Sequence, residues 1–90
     1  MRYLLLIKVI KEINKIKKRD PELYRLILKQ LELFSSNANH PSLRKHKLIG
    51  KLKNYWSISI DRGFRMIYVV EGDMAVFVKV GTHDEVYEEN

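Results

Sequence analysis

Tyr55-Trp56-Ser57-Ile58-Ser59-Ile60, Asp61-Arg62-Gly63, Phe64-Arg65-Met66-Ile67-Tyr68-Val69-Val70, Glu71-Gly72-Asp73 and Met74-Ala75-Val76-Phe77-Val78-Lys79-Val80 follow one another without interruption. In the first segment Trp56, Ile58 and Ile60 alternate with Tyr55, Ser57 and Ser59, the period at which successive strand side chains point to opposite faces. The third and fifth segments are nearly continuous apolar runs of strand length. The short segments between them carry the Gly and Asp that tight turns favour. This pattern predicts an antiparallel three-stranded meander, with Trp56 on its apolar side.

Upstream, Ser42 to Asn54 is a basic connector in which Leu43, Leu48, Ile49 and Leu52 are the apolar anchors. Residues 35–41 are polar and turn-forming and read as a loop. Before them, Leu23, Ile27, Leu31 and Phe34 recur at spacings of three and four, widened by Tyr24 and Leu28, and predict a helix to about Phe34. Asp20-Pro21-Glu22 starts it: Asp20 caps free amides, Pro21 tolerates the first turn and Glu22 complements the helix dipole. Val9, Ile10, Ile13 and Ile16 form the stripe of an earlier helix over residues 8–18, and the short link through Arg19 and Asp20 joins the two as a hairpin. Tyr3 to Ile7 is an apolar run of strand length, expected to be buried on both faces. Downstream, residues 81–87 form the exit, followed by an acidic tail.

The expected architecture is therefore a single α+β domain over residues 1–90, ordered β-α-α-β-β-β. It forms one sheet, with the first strand beside the last meander strand and the helical hairpin on one face. At 90 residues, one sheet packed on one or two helices is about all the chain can build. With 46% hydrophobic and 31% charged residues, it has the profile of a folded globular chain, not a disordered one. The apolar run near the start is too short to span a bilayer and lacks a cleavage site, so no membrane association and a cytoplasmic location are expected.

The absence of cysteine excludes disulfides, thiolate metal sites and a thiol nucleophile. The four glycines are isolated, so no phosphate-binding glycine loop exists, and the histidines lack metal-ligand spacing. Neither a metal nor a small-molecule cofactor is expected. The net charge of +6 is concentrated at residues 8–19 and 44–53 while acids gather at 84–89. That asymmetry suits a polyanionic partner, nucleic acid or an acidic protein segment, though a merely soluble basic surface carries the same charge.

These residue types can cleave RNA without a metal, a reaction that needs a base for the ribose 2′-hydroxyl, a cation at phosphorus and an acid for the leaving oxygen. His46 lies between Lys45 and Lys47, which favour its neutral, proton-accepting form; His83 adjoins Asp84, which favours its protonated, donating form. Each is equally readable as a surface or turn histidine, and His40 before Pro41 as a loop residue. Arg65, near the start of an apolar strand, either pairs with Asp61 or Asp84 or projects to the open face as a phosphate clamp. Arg44, Lys45, Lys47, Lys51 and Lys53 can track a phosphate backbone, or simply solvate a loop. Tyr55 or Tyr87 can stack on a base.

Lys45-His46-Lys47-Leu48-Ile49-Gly50, Tyr55-Trp56-Ser57-Ile58, Phe64-Arg65-Met66-Ile67-Tyr68 and Gly81-Thr82-His83 with Tyr87 four positions on resemble the C-terminal half of the RelE/ParE superfamily toxins, most closely its YafQ and YoeB branches. The resemblance implies the toxin of a type II toxin–antitoxin pair, an mRNA endoribonuclease acting at the ribosome and silenced by an acidic antitoxin protein. By it, Arg65 takes the phosphate-clamping place, His83 the C-terminal catalytic place, Tyr87 the aromatic place and His46 the loop-histidine place. Ser59 and Gly63 stand where YafQ-like toxins carry a histidine and an acid, and a residue near Ser42 replaces the glutamate base of YoeB-like toxins. A ParE-type inhibitor of DNA gyrase and a non-catalytic RNA- or antitoxin-binding module share the fold. The first has no need of His83, and the second fits the departures at those positions.

Overall fold

The computed structural model describes residues 1–50 and 54–87. In chain order its elements are β1 (Arg2–Leu5), α1 (Ile7–Arg19), α2 (Pro21–Ser36), a 3-10 turn (Pro41–Leu43), β2 (His46–Lys47), β3 (Tyr55–Ser59), β4 (Phe64–Glu71), β5 (Met74–Thr82) and α3 (His83–Val86). They form one five-stranded sheet in the order β1-β5-β4-β3-β2. The pair β1/β5 is parallel and the others antiparallel. The α+β class, the meander and the place of the first strand beside the last are as the sequence predicts.

Both long helices form where their stripes place them, although Ile10 and Leu28, counted in those stripes, lie at their margins and are exposed. Val9, Ile13 and Ile16 of α1 and Ile27, Leu31 and Phe34 of α2 are buried. The Asp20 side chain accepts a hydrogen bond from the Leu23 amide at 3.2 Å, and Pro21 occupies the first helical position, where its missing N–H costs nothing. The hairpin packs its stripes on Ile58, Met66, Tyr68 and Phe77 of the sheet, forming the main core. Phe34 stands at its centre, with Tyr68 and Phe77 rings at 5.1 and 5.3 Å. Burial pushes the Tyr68 hydroxyl pKa up to about 12, which leaves that tyrosine a core residue with no proton to trade near neutrality.

Three expectations need correction. β1 is an edge strand, so its apolar run is not buried on both faces: Tyr3 and Leu5 face the core while Leu4 is 55% exposed, and Ile7 already belongs to α1. The basic connector contains the two-residue strand β2, making five strands instead of four. A two-residue bridge has no periodicity of its own and exists only through its pairing with Trp56 and Ser57. The exit, to which the sequence pattern assigns no element, forms α3, which lies on the sheet face opposite the hairpin and buries Val86 against Leu48 and Ile67.

Gln30, a polar residue on the buried side of α2, fastens the far end of β3. Its Nε2 donates to the Ser59 carbonyl at 2.9 Å and reaches the Ser42 carbonyl at 3.4 Å. Replacing it with leucine keeps the volume and removes the donor, leaving buried carbonyls unpaired. The expected loss is about 1–3 kcal/mol, read from the shift in a urea midpoint; no shift would mean that water serves those carbonyls equally well.

Candidate functional site

Gly81-Thr82-His83 is shaped by the short helix that it starts. Thr82 Oγ1 accepts the Glu85 amide at 3.3 Å while Glu85 Oε1 accepts the Thr82 amide at 2.7 Å, a reciprocal cap at the head of α3. A Cβ at position 81 would stand 2.7 Å from Glu85 Oε1, so only glycine leaves room for that carboxylate to reach back. The His83 amide donates to the Gly63 carbonyl at 2.9 Å, anchoring the turn to the β3–β4 connection. One helical turn later Tyr87 arrives over the sheet.

The hydrogen bonds from Thr82, backbone first and side chain second, and the charge of Arg19 hold the Glu85 carboxyl below its ordinary pKa. A carboxylate lowered in the folded state stabilises it above its unfolded pKa, and that contribution is lost as pH falls through the lower folded value. Acidification is therefore expected to release the cap of α3. The Thr82 amide resonance should move with the Glu85 titration; an amide indifferent to it would refute the linkage.

Three sequence-predicted residues converge here. The Tyr87 hydroxyl donates to Ser57 Oγ at 2.9 Å and lies 3.3 Å from His46 Nε2. Its ring packs on the His83 ring with centroids 4.4 Å apart. Register explains the meeting: His46 pairs with Ser57, Ser57 with Ile67, and Ile67 with Lys79, one row across four strands. His46 Nδ1 lies 3.4 Å from the Arg44 carbonyl. Both histidines are exposed, and His83 Nδ1 is 3.7 Å from Asp84 Oδ1.

Arg65 lies in the next row, between Ser59 and Gly81. Its Nη1 is buried and has no hydrogen-bond partner among the described residues, so of the two fates open to it, internal pairing at that nitrogen is not seen among them. Lys45 and Lys47 sit over the Trp56 ring, 5.2 and 6.0 Å from its centroid, and Lys45 Nζ also donates to Asn39 Oδ1 at 2.6 Å. Trp56 packs against the core from the sheet edge and stays partly exposed beneath these cations. Tyr55 is half-buried beside Leu48, Ile67 and Val86. Arg44 borders the pocket that holds Arg65, whereas Lys51 and Lys53 lie outside the described residues.

Sequence reasoning missed Ser57 and Lys79. Ser57 reads as an ordinary outward strand residue, yet it is fully buried under Tyr87. Lys79 reaches its row because the β4/β5 register shifts after Ile67, so that Tyr68 pairs with Phe77 and Val78 is left over. The Thr82-x-x-Glu85 cap was legible as a local pattern. Among the described residues, no three His or acidic side chains gather where they could hold a metal ion, and no helix is long and apolar enough to cross a membrane.

The fold is similar to that of solved bacterial toxins. YafQ from E. coli BL21(DE3) superposes with a TM-score of 0.78 at 16% identity, covering 98% of this chain and all of that one. The YoeB chain of a heterotetrameric YoeB–YefM toxin–antitoxin complex from Staphylococcus aureus gives 0.74 at 18% identity, covering 92% and 97%. These likenesses define the RelE-like class of small α+β toxin folds. Residues 6–88 match the family described as "Bacterial toxin of type II toxin-antitoxin system, YafQ". A Methanocaldococcus jannaschii protein bearing the name toxin RelE4 is 28% identical over 79 residues, 86% of this chain and 80% of its own. The chain belongs to the YafQ family of type II toxin–antitoxin toxins.

Proposed function

We propose that this toxin is a metal-independent endoribonuclease that cleaves mRNA in association with the ribosome and is silenced by an acidic antitoxin protein. One observation carries the chemistry: Tyr87 joins His46 to Ser57 through its hydroxyl and packs its ring on His83. Two imidazoles thus flank one aromatic residue, with a guanidinium nitrogen that has no partner among the described residues in the adjoining row.

In this reading His46 Nε2 removes the proton from a ribose 2′-hydroxyl, whose oxygen attacks the adjacent phosphorus. Arg65 balances the charge that accumulates on the phosphoryl oxygens. His83 protonates the departing 5′-oxygen as the P–O bond breaks, giving a 2′,3′-cyclic phosphate and a 5′-hydroxyl end. Tyr87 orients both rings. Arg44, Lys45 and Lys47, with Lys51 and Lys53, supply the basic surface for RNA, and Tyr55 adds an aromatic face. The antitoxin is inferred from the toxin–antitoxin complex of the YoeB relative, and the net charge of +6 favours an acidic one.

The test is to induce the protein in a bacterium and map mRNA ends by primer extension. New ends within translated frames support the nuclease. Growth arrest without new ends refutes it and directs attention to supercoiling and gyrase. A non-catalytic binding module draws support from Ser59, which fills a family histidine position yet is buried and spends its hydroxyl on the Asp61 carbonyl at 2.9 Å. That reading expects neither arrest nor new ends from soluble protein.

A further inference from the structure

At the end of the sheet beyond the His46–Ser57 row, a pocket opens between the 3-10 turn and the β3–β4 connection. It is lined by Ser42, Arg44, Ser59, Asp61, Arg62 and Arg65. Three arginines and one aspartate thus share its wall. One oxygen of that carboxylate, Asp61 Oδ1, accepts the Gly63 amide at 3.2 Å. The Arg65 Nη1 is buried and has no hydrogen-bond partner among the described residues, a costly state for a charged donor.

Gln30 ties the Ser42 and Ser59 carbonyls to α2. Arg44 closes the 3-10 turn in the left-handed region at φ 46°, a conformation uncommon outside glycine. Such a cluster is poorly explained by stability: like charges gather, one nitrogen is unsatisfied, and a backbone position is strained.

We propose that this pocket is a phosphate subsite for single-stranded RNA, holding the phosphodiester next to the one cleaved at the His46–Tyr87–His83 cluster. The inference rests on the RNA-cleavage reading and extends it to residues outside the cluster. Arg65 has donors enough to serve both positions, while Arg44 and Arg62 grip only the neighbouring phosphate. Ser59 and Ser57 are two residues apart on β3, about 7 Å along an extended strand, so the two sites address successive parts of one RNA chain. An anion in the pocket gives the orphaned Nη1 its acceptor and relieves the repulsion among the arginines.

A 2′-O-methyl trinucleotide resists cleavage and has only two linkages, each of which can be neutralised separately as a methylphosphonate. Titration into the full chain is followed by the arginine side-chain NMR signals. The wild type is expected to lose affinity when either linkage is neutralised. In Arg62→Ala, and in Arg44→Gly where glycine accepts the positive φ, one of the two linkages becomes insensitive, and the slope of log K against log salt flattens by about 0.7. Lys15→Ala and Lys18→Ala, which remove the same charge from the exposed side of α1, should keep both linkages sensitive.

The proposal is overturned if both linkages stay equally sensitive in the pocket variants. It is equally overturned if the trinucleotide leaves the Arg65 signals unmoved while primer extension still detects cleavage, a result that preserves the nuclease. The opposite pattern, linkage-selective binding with no cleavage in cells, supports the pocket and refutes the nuclease.

Discussion

His83→Ala is expected to abolish new mRNA ends in an induced culture and to lower single-turnover cleavage by about 10²–10⁴-fold, the usual effect of removing a positioned proton donor. The imidazole is set by three independent restraints: its amide bond to the Gly63 carbonyl, the reciprocal cap around Thr82 and Glu85, and the Tyr87 ring at 4.4 Å. None depends on the imidazole nitrogens, so alanine removes the proposed proton donor while the α3 cap persists. The ring is also 61% exposed, and its loss opens no core cavity. Tyr87→Phe makes a useful contrast. It deletes the hydroxyl's contacts with Ser57 and His46 but keeps the ring beside His83 and both imidazoles, so cleavage should fall less than in His83→Ala. Equal losses in the two would assign the chemistry to the tyrosine hydroxyl and displace His83 from its role.

Phe34→Ala should cost about 3–5 kcal/mol, the range for a buried large aromatic. Phe34 is inaccessible to solvent and meets rings from three strands: Tyr3 of β1, Tyr68 of β4 and Phe77 of β5. A small domain has about 5–15 kcal/mol in total, so this single substitution should remove a large share of the stability, and toxicity should fall with the fraction of chain left folded. Leu28→Ala lies on the same helix but at a position 46% exposed, and its effect should stay within about 0.5 kcal/mol. Urea midpoints with unchanged slopes would establish the contrast. A Phe34→Ala midpoint near that of the wild type would show that the sheet and hairpin cohere without this ring.

The fold was largely legible because its signals are local. The period-two alternation at 55–60, the turn residues at 61–63 and 71–73, and the Asp20-Pro21 helix start each act within a few residues. The apolar run at 3–7 misled because continuity of hydrophobic residues does not say which face a neighbour covers. β1 has a partner on one side only, and Leu4 is left in solvent. Trp56 follows its strand parity toward the core, but at the sheet edge the core ends, and the lysines of the connector cover the remainder.

The sequence by itself determined the α+β class, the order of its elements, the basic character and the short roll of residues capable of acid–base work. Those properties depend on residue type and spacing, which the chain displays directly. Tertiary structure alone decided which of those residues act together. His46 and Tyr87 are 41 positions apart in the chain and meet because β2 pairs with β3 while α3 folds back over the same face. Arg65 Nη1 finds no acceptor among the described residues, although Asp61 is four residues away and offers one carboxylate oxygen to the Gly63 amide. Such facts come from register and from competition among acceptors, and neither is written in any local stretch of sequence.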